Sequence, residues 1–196
     1  MLSTYVVVPL EQGTSAWLDW RDQGIGASDA PAIMGENPWK SAARLMREKL
    51  GEVKKFSGNA AMRRGNELEP LARRRYERLS GVSVDPACLQ SSRHTWQRAS
   101  VDGLAADGSV VVEIKCGDSV YEKTSRSLSV PGYYLGQLQH ILAVTGLGHI
   151  DFFCYLPSRP DVRVRVERDD VYIRRLVSTE REFWEQVAMR RAALRA

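Results

Sequence analysis

The stretch Ala99-Ser-Val-Asp-Gly-Leu-Ala-Ala-Asp-Gly-Ser-Val-Val-Val-Glu-Ile-Lys-Cys116 decides the fold of this chain. Two short apolar runs flank Asp107-Gly108, a dipeptide that is typical of β-hairpin turns. A turn at this place sets the register of the two strands and puts Asp102 directly opposite Glu113. The sequence therefore predicts a hairpin that brings two carboxylates together.

The predicted hairpin has one polar and one apolar face. Asp102 and Glu113 share a face, with Cβ atoms about 4.5–5.5 Å apart, and Lys115 projects from the same face two residues on. Two carboxylates in so apolar a run are unfavourable unless a positive charge neutralises them. A Glu113–Lys115 ion pair does so in part, and Mg²⁺ or Mn²⁺ does so better, because these ions prefer oxygen ligands. The hairpin predicts a metal site; an ion pair beside a plain Asp102-Gly103 turn is the alternative.

The rest of the chain alternates between helical and strand periodicity. One helix is expected to end near Gln23 and another to begin at an N-cap formed by Ser28-Asp29. Residues 117–130 are polar and predict a flexible loop. Further helices are expected at 41–50, 66–79, 132–144 and from 169 onward, and strands at 99–105, 109–116, 149–156 and 162–167. This order predicts one α/β domain over residues 1–196, with a mixed β-sheet flanked by helices.

The charge balance is modest, with 28 Lys and Arg against 24 Asp and Glu. Because 22 of the 28 basic residues are arginine, whose guanidinium grips phosphate through two parallel hydrogen bonds, a phosphate-rich partner is favoured. No run approaches the roughly 18 apolar residues that span a bilayer. The first residues also lack the pattern of a secretory signal, so a cytoplasmic protein without a membrane segment is expected.

Three classes of residue receive a structural interpretation. Cys88, Cys116 and Cys154 form no CxxC pair, so we expect buried apolar residues and not a zinc or iron–sulfur site. His140 has no partner at ligand spacing and is not expected to bind metal. Core or interface packing is favoured over a base-stacking role for the five tryptophans, which are Trp17, Trp20, Trp39, Trp96 and Trp184.

Asp102, followed by Glu113-Ile-Lys115, resembles the catalytic signature of the PD-(D/E)xK nucleases, with Val101 in place of the motif's proline. Together with four further stretches it resembles the YqaJ-type viral recombinase, or lambda exonuclease, family over about residues 15–155. These stretches are Arg21-Asp-Gln-Gly-Ile-Gly-Ala-Ser-Asp29, Arg64-Gly-Asn-Glu-Leu-Glu69, Val101-Asp-Gly-Leu104 and Pro131…Tyr134-x-x-Gln137-x-Gln139. The resemblance implies a restriction-endonuclease-like core.

The resemblance also implies an activity. Members degrade one strand of duplex DNA from its 5′-phosphorylated end, using two Mg²⁺ ions, with Mn²⁺ as an alternative. They leave a 3′ single-stranded tail for a single-strand-annealing protein, and they form a ring-shaped homotrimer. The alternatives are a RecB-like or Cas4-like nuclease of other polarity and a catalytically silent DNA-binding subunit. Three scattered cysteines disfavour the Cas4-like enzyme, which usually carries four around an iron–sulfur cluster.

Five positions receive roles in the chemistry from the resemblance. Asp102, Glu113 and the main-chain carbonyl of Ile114 would hold the metal, and Glu69 would support it directly or through water. Lys115 would orient the attacking water and offset the charge that develops on the phosphate.

Three further positions would bind or flank the substrate. Gln137 is implied to lie next to the active site. Arg21 and Ser28 match the positions that hold the terminal 5′ phosphate, and a helix that starts at Ser28 would add free backbone N–H groups. The dense basic run Arg73-Arg-Arg75 cannot share one helix face and predicts solvated surface, with one or two DNA contacts at most.

Overall fold

A computed structural model describes residues 3–54 and 58–194. Within these residues the strands are β1 (Tyr5–Val8), β2 (Ile25–Gly26), β3 (Val84–Ser91), β4 (Gln97–Ala105), β5 (Val111–Lys115), β6 (His149–Cys154) and β7 (Val162–Glu167). The helices are α1 (Ser15–Asp22), α2 (Ala30–Ile33), α3 (Ala42–Lys49), α4 (Ala60–Ser80), α5 (Asp118–Ser127), α6 (Gly132–Thr145) and α7 (Asp170–Ala193). A 3₁₀ turn, Ala27–Asp29, joins β2 to α2.

The strands form one mixed sheet in the order β1-β3-β4-β5-β6-β7, and β2 pairs with β4 in parallel. Neighbours are antiparallel except β5 and β6, which are parallel. A parallel pair needs a long crossover connection, and α5 and α6 lie within it. The predicted mixed sheet flanked by helices is therefore confirmed.

Each face of the sheet buries an apolar cluster under a helix. Helix α6 supplies Leu138 and Ile141 to one cluster, which includes Phe152 of β6. Helix α4 covers the opposite face, where Val112 and Ile114 are buried. A third cluster lies among β2, α2, α3 and α7. The site described below lies at the junction of α4, α6 and the β4–β5 hairpin.

The hairpin has the register that Asp107-Gly108 predicts. Leu104 pairs with Val111 and Gly103 with Val112, which is the register that would place Asp102 opposite Glu113. The loop is four residues long, because the Ala105 N–H donates to the Val110 carbonyl at 2.9 Å. Gly108, at a φ of 71°, supplies the left-handed residue that this turn requires.

Several elements differ from the sequence prediction. Residues 118–127 form α5 and not a flexible loop, because Val120, Tyr121 and Thr124 recur at helical spacing and are all buried. Helix α4 begins earlier than predicted, at Ala60, where the Asn59 side chain accepts the Met62 N–H at 3.0 Å. Strands β1 and β3 were not predicted.

Two expectations from composition can be compared with the structure. All three cysteines are buried and free, as expected. Among the described residues, no helix combines the length and apolar character needed to cross a bilayer.

Candidate active site

Asp102 lies at the point in β4 where backbone pairing with β5 ends. The ladder extends to Gly103, and one residue further the Asp102 Oδ2 accepts a hydrogen bond from the backbone N–H of Ile114 at 2.7 Å. The register between β3 and β4 shifts near residues 85–87, so that β4 gains one extra residue here. Bulges of this kind redirect a side chain. Here the Asp102 carboxylate accepts the Ile114 N–H, which a backbone carbonyl of β4 would accept in a regular ladder.

Gly103 makes this arrangement possible. A Cβ atom at this position would lie 2.7 Å from side-chain carbons of both Val84 and Val112. The alternative of a plain Asp102-Gly103 turn is therefore wrong: both residues lie inside β4, where glycine lets three strands pack closely.

Two hydrogen-bond donors bind Glu113, and both bind the same carboxylate oxygen. Its Oε1 accepts hydrogen bonds from Gln137 Nε2, at 2.6 Å, and from Lys115 Nζ. Its Oε2 is buried without a hydrogen-bond partner in the part of the chain that the structure describes. Burial, and then the nearby charge of Asp102, raise the pKa of Glu113 to about 7. The protein therefore orients this carboxylate without fully neutralising it.

Lys115 projects from the same face as Glu113, as predicted. Burial alone would lower the pKa of the Lys115 ammonium, but the charges of Glu113 and Asp102 outweigh it and raise that pKa. The ammonium also lies 5.2 Å from the centre of the Tyr134 ring. The expected Glu113–Lys115 ion pair is present. It leaves Glu113 Oε2 unsatisfied, so an ion pair alone does not account for the site.

Glu69 reaches the hairpin from α4 through an arginine. Its Oε1 accepts a hydrogen bond from Arg73 Nη2 at 2.5 Å, and Arg73 Nε donates to the Asp102 carbonyl at 2.7 Å. Burial and then the charge of Asp102 raise the pKa of Glu69. The predicted solvated surface at Arg73–Arg75 is wrong for Arg73, since it faces β4. Arg75 keeps 43% of its side chain exposed while it pairs with Asp161 at 2.7 Å.

The oxygen atoms near the hairpin suit a hard cation. Asp102 and Glu113 supply two carboxylates, one with the unpartnered Oε2. The Ile114 carbonyl faces the same strand edge as the Ile114 N–H that Asp102 accepts. Within residues 3–54 and 58–194, no three His, Cys, Asp or Glu side chains are grouped to hold a metal by themselves. Glu69 is thus not grouped with Asp102 and Glu113 among these residues, so its role through water fits better.

Arg21 and Ser28 meet as predicted. Arg21 Nη2 donates to Ser28 Oγ at 2.8 Å, and the guanidinium lies 4.6 Å from the centre of the Trp17 ring. Ser28 is not the N-cap of an α-helix, however. It lies inside the 3₁₀ turn, because the Asp29 carboxylate accepts the Gly26 N–H at 3.2 Å and tightens the chain there. Asp29, the second residue of the predicted N-cap pair, is the N-cap residue of α2, without a side-chain cap hydrogen bond.

Lys49 anchors the 3₁₀ turn from α3, which sequence reasoning missed. Its Nζ lies 2.9 Å from Asp29 Oδ2 and donates to the Gly24 carbonyl at 2.8 Å. Burial would raise the pKa of Asp29, but the charges of Lys49 and Arg21 lower it to about 2. Asp29 is thus ionised and holds the turn that carries Ser28.

The predicted carboxylate pair and the predicted phosphate-binding pair, Arg21 and Ser28, line one cleft of about 130 Å³. Lys115 and Glu69 flank this cleft without lining it. The lining residues are Gln12, Trp17, Trp20, Arg21, Gly26, Ala27, Ser28, Arg98, Ser100, Asp102, Glu113 and Gln137. An anion held by Arg21 would therefore lie in the same cleft as the carboxylate pair.

Several lining residues carried no signal in the sequence. Gln12 donates from Nε2 to the Val101 carbonyl at 3.0 Å, which secures the strand just before Asp102. Trp17 donates from Nε1 to Ser100 Oγ at 2.8 Å. These partners are more than 80 residues apart along the chain, so no local pattern reveals them.

The family follows from a match to a model of the YqaJ-like viral recombinase domain over residues 16–148. The chain belongs to this family. It is 31% identical to the YqaJ protein of Bacillus subtilis over 179 residues, which is 89% of this chain and 56% of YqaJ. It is 29% identical to the R354 protein of Acanthamoeba polyphaga mimivirus over 156 residues, which is 72% of this chain and 28% of R354. This YqaJ-like chain therefore spans about half the length of YqaJ and less of R354.

Solved structures share the fold of this YqaJ-like chain. The alkaline exonuclease LHK-Exo from Laribacter hongkongensis superposes with a TM-score of 0.80 at 29% identity, covering 93% of this chain and 96% of LHK-Exo. A phage-related exonuclease from Haemophilus somnus gives a TM-score of 0.59 at 16% identity, over 85% of this chain and 96% of its own. The predicted restriction-endonuclease-like fold is confirmed.

Proposed function

We propose that this chain is a metal-dependent exonuclease of DNA recombination. It degrades one strand of duplex DNA from a 5′-phosphorylated end and leaves a 3′ single-stranded tail. The YqaJ-like family and the likeness to an alkaline exonuclease support a nuclease role in recombination. LHK-Exo also has a solved complex with dAMP, which is similarly superposable at a TM-score of 0.80.

One observation carries the proposal. The buried Oε2 of Glu113 has no hydrogen-bond partner among the described residues, although Gln137 and Lys115 both hold the other oxygen. A buried charge left half satisfied is costly, and it becomes favourable when a cation binds there. The carboxylate pair and Arg21 line the same cleft, so a phosphate-containing substrate fits both.

Asp102, Glu113 and the Ile114 carbonyl would hold the Mg²⁺ ions, with Mn²⁺ as an alternative and Glu69 acting through water. When bound by these residues, divalent cations would supply Lewis-acid chemistry, which would lower the pKa of a water molecule and offset charge on the scissile phosphate. The carboxylates need no rearrangement, because Ile114 N–H orients Asp102 and Gln137 orients Glu113.

The remaining side chains act on water and on the DNA end. Lys115 keeps its proton beside Glu113, so its ammonium orients the attacking water and offsets charge that develops on phosphorus. Arg21 grips the terminal phosphate while Ser28 donates or accepts a hydrogen bond beside it. This arrangement fixes the 5′ end in the cleft and thereby sets the polarity.

The test uses linear duplex DNA labelled on either strand end, with Mg²⁺ or with EDTA. We expect Mg²⁺-dependent loss of the 5′-ended strand and recovery of the 3′-tailed strand. Asp102→Asn and Glu113→Gln should each lower the rate by at least about 10²-fold, as loss of an essential charge-stabilising group does. Asp107→Asn, which changes an exposed carboxylate in the turn of the same hairpin, is the matched control and should retain full activity.

Other outcomes select the alternatives. Digestion from the 3′ end would overturn the polarity and favour a RecB-like nuclease. No digestion by the parent protein, with DNA binding that Asp102→Asn leaves unchanged, would favour a catalytically silent subunit.

Assembly and partners belong to the same proposal. The family resemblance supports a ring-shaped homotrimer around the DNA, a single-strand-annealing protein as partner, and a cytoplasmic location. Light scattering of the purified chain should give three times the monomer mass of 22.0 kDa. A monomer at all concentrations would contradict the ring.

A further inference from the structure

Trp39 is the most exposed of the five tryptophans. It is 71% exposed, whereas the other four tryptophans are all partly buried. The Trp39 and Tyr133 rings pack edge to face, with ring centres 4.9 Å apart and an angle of 77° between the ring planes. Lys123 of α5 lies 5.2 Å from the centre of the same Tyr133 ring. An indole, a phenol and an ammonium therefore form one small surface, here called the aromatic platform.

Hydrogen bonds hold the backbone that carries Trp39, although the indole is exposed. The Asn37 side chain accepts hydrogen bonds from the backbone N–H groups of Trp39, at 2.8 Å, and Lys40, at 3.0 Å. The Asn37 N–H in turn donates to the Pro31 carbonyl at 3.0 Å. These hydrogen bonds order the backbone of the loop that carries the indole, so a ligand need not order that backbone when it binds. A cavity of about 360 Å³ lies beside it, between Ala32 and Ala42.

A chain of rings connects the platform with the active site. Tyr133 lies 4.7 Å from Tyr134, centre to centre, and the Tyr134 ring contacts the Lys115 ammonium at 5.2 Å. Helix α6 carries both tyrosines in its first turn and Gln137 one turn later. The same helix therefore positions the platform and the side chain that holds Glu113.

We propose that Trp39, Tyr133 and Lys123 bind unpaired nucleotides of the DNA substrate, with a base stacked on the exposed indole. This inference rests on the proposed nuclease function only in taking DNA as the ligand. Base–aromatic stacking accepts any base, because every base has a π-face, and a neighbouring cation attracts the backbone. The positive charge of Lys123 favours single-stranded DNA over an apolar protein segment as the occupant.

The test measures binding of a labelled oligothymidylate of about 12 nucleotides by fluorescence anisotropy in EDTA, where cleavage is not required. Trp39→Ala should raise Kd at least about tenfold, and Trp39→Phe should restore most of the affinity. Lys123→Ala should weaken binding and lower the slope of log K against log salt by about 0.7. Met189→Ala, which removes a side chain of similar exposure (69%) from α7, is the control and should leave Kd unchanged.

Each contrary result has a defined meaning. An unchanged Kd for folded Trp39→Ala would overturn the platform. A weaker Kd that accompanies a change in oligomeric state would also overturn it, in favour of an interface between copies of the chain. If the parent protein binds the oligonucleotide through Trp39 but digests no duplex, the platform stands and the proposed function fails. If digestion is normal and Trp39→Ala binds as well as the parent, only the platform fails.

Discussion

Arg21 reaches the cleft with its guanidinium stacked on Trp17 and bonded to Ser28. Both contacts already restrict the rotamers of the Arg21 side chain, so it loses less conformational entropy when it binds an anion. Lysine at this position would supply the charge without the planar fork. The residue is therefore suited to recognise one phosphate group and not merely to attract DNA.

Arg21→Ala should weaken the preference for 5′-phosphorylated over 5′-hydroxyl ends by about tenfold or more, because a charge-assisted hydrogen bond contributes roughly 1.5–3 kcal/mol. Arg21→Lys should restore part of it. The measurement is the ratio of initial digestion rates on the two duplexes. Arg174→Ala, on the exposed side of α7, is the control. A ratio that Arg21→Ala leaves unchanged would remove the phosphate assignment.

The bulge in β4 is the element that creates the carboxylate site. A regular ladder would pair the β4 backbone with Ile114; the extra residue frees that N–H for the Asp102 carboxylate. The bulge in turn depends on close strand packing at Gly103. Strand geometry and the orientation of a catalytic side chain are thus coupled at two successive residues.

Gly103→Ala should lower the free energy of unfolding by about 1–3 kcal/mol, because the added methyl overpacks a tight contact with Val84 and Val112. Combining it with Val84→Ala should recover part of the loss caused by the overpacking. Urea denaturation of the single and double variants measures this coupling. Gly65→Ala in α4, where the new Cβ meets nothing within 4 Å, should be neutral or stabilising. Equal effects of the two glycine substitutions would contradict the packing argument.

A buried polar network joins β4, α6 and α7 across the molecule. His140 Nδ1 lies 2.6 Å from Glu180 Oε1, and His140 Nε2 lies 2.9 Å from the Arg98 carbonyl. Both partners are acceptors, so both ring nitrogens donate only when the imidazole is protonated. Gln97 donates to the other Glu180 oxygen at 3.0 Å. His140 therefore has a structural role, since both of its ring nitrogens are engaged within the core.

This network predicts a pH-dependent stability. Burial would lower the pKa of His140, but the charge of Glu180 outweighs it and raises that pKa above the ordinary value of 6.5. The stabilisation is therefore complete below pH 6.5 and is lost as the pH rises through the folded-state pKa. Urea denaturation at about pH 6 and about pH 9 should show Glu180→Gln destabilising the protein more at the lower pH. Glu182→Gln, exposed on the same helix, should show no such difference.

Much of the fold could be predicted because its signals are local. Asp107-Gly108 lies between two apolar runs and therefore favours a hairpin turn at that place. The period of buried residues in α6 and α7 repeats within a few residues. Strand β1 could not be predicted, since its partner lies far along the chain: Tyr5 pairs with Ser91. Strand β3 pairs with its neighbour β4, but its buried positions do not alternate regularly and it contains Pro86. Helix α5 could not be predicted either, because its composition is polar. Its three buried side chains become buried only when other elements pack against them in the folded protein.

The sequence by itself determined the hairpin register, the shared face of Glu113 and Lys115, and the family. All of these depend on residue spacing or on motifs within one segment. Only the tertiary structure decided that Asp102 accepts the Ile114 N–H and that Arg21 lines the same cleft. It also decided that one oxygen of Glu113 is buried without a partner among residues 3–54 and 58–194. The physical reason is that satisfaction of a buried polar atom depends on every group packed around it. Those groups come from α1 with β2, from the β4–β5 hairpin and from α6, which are three segments distant from one another in sequence.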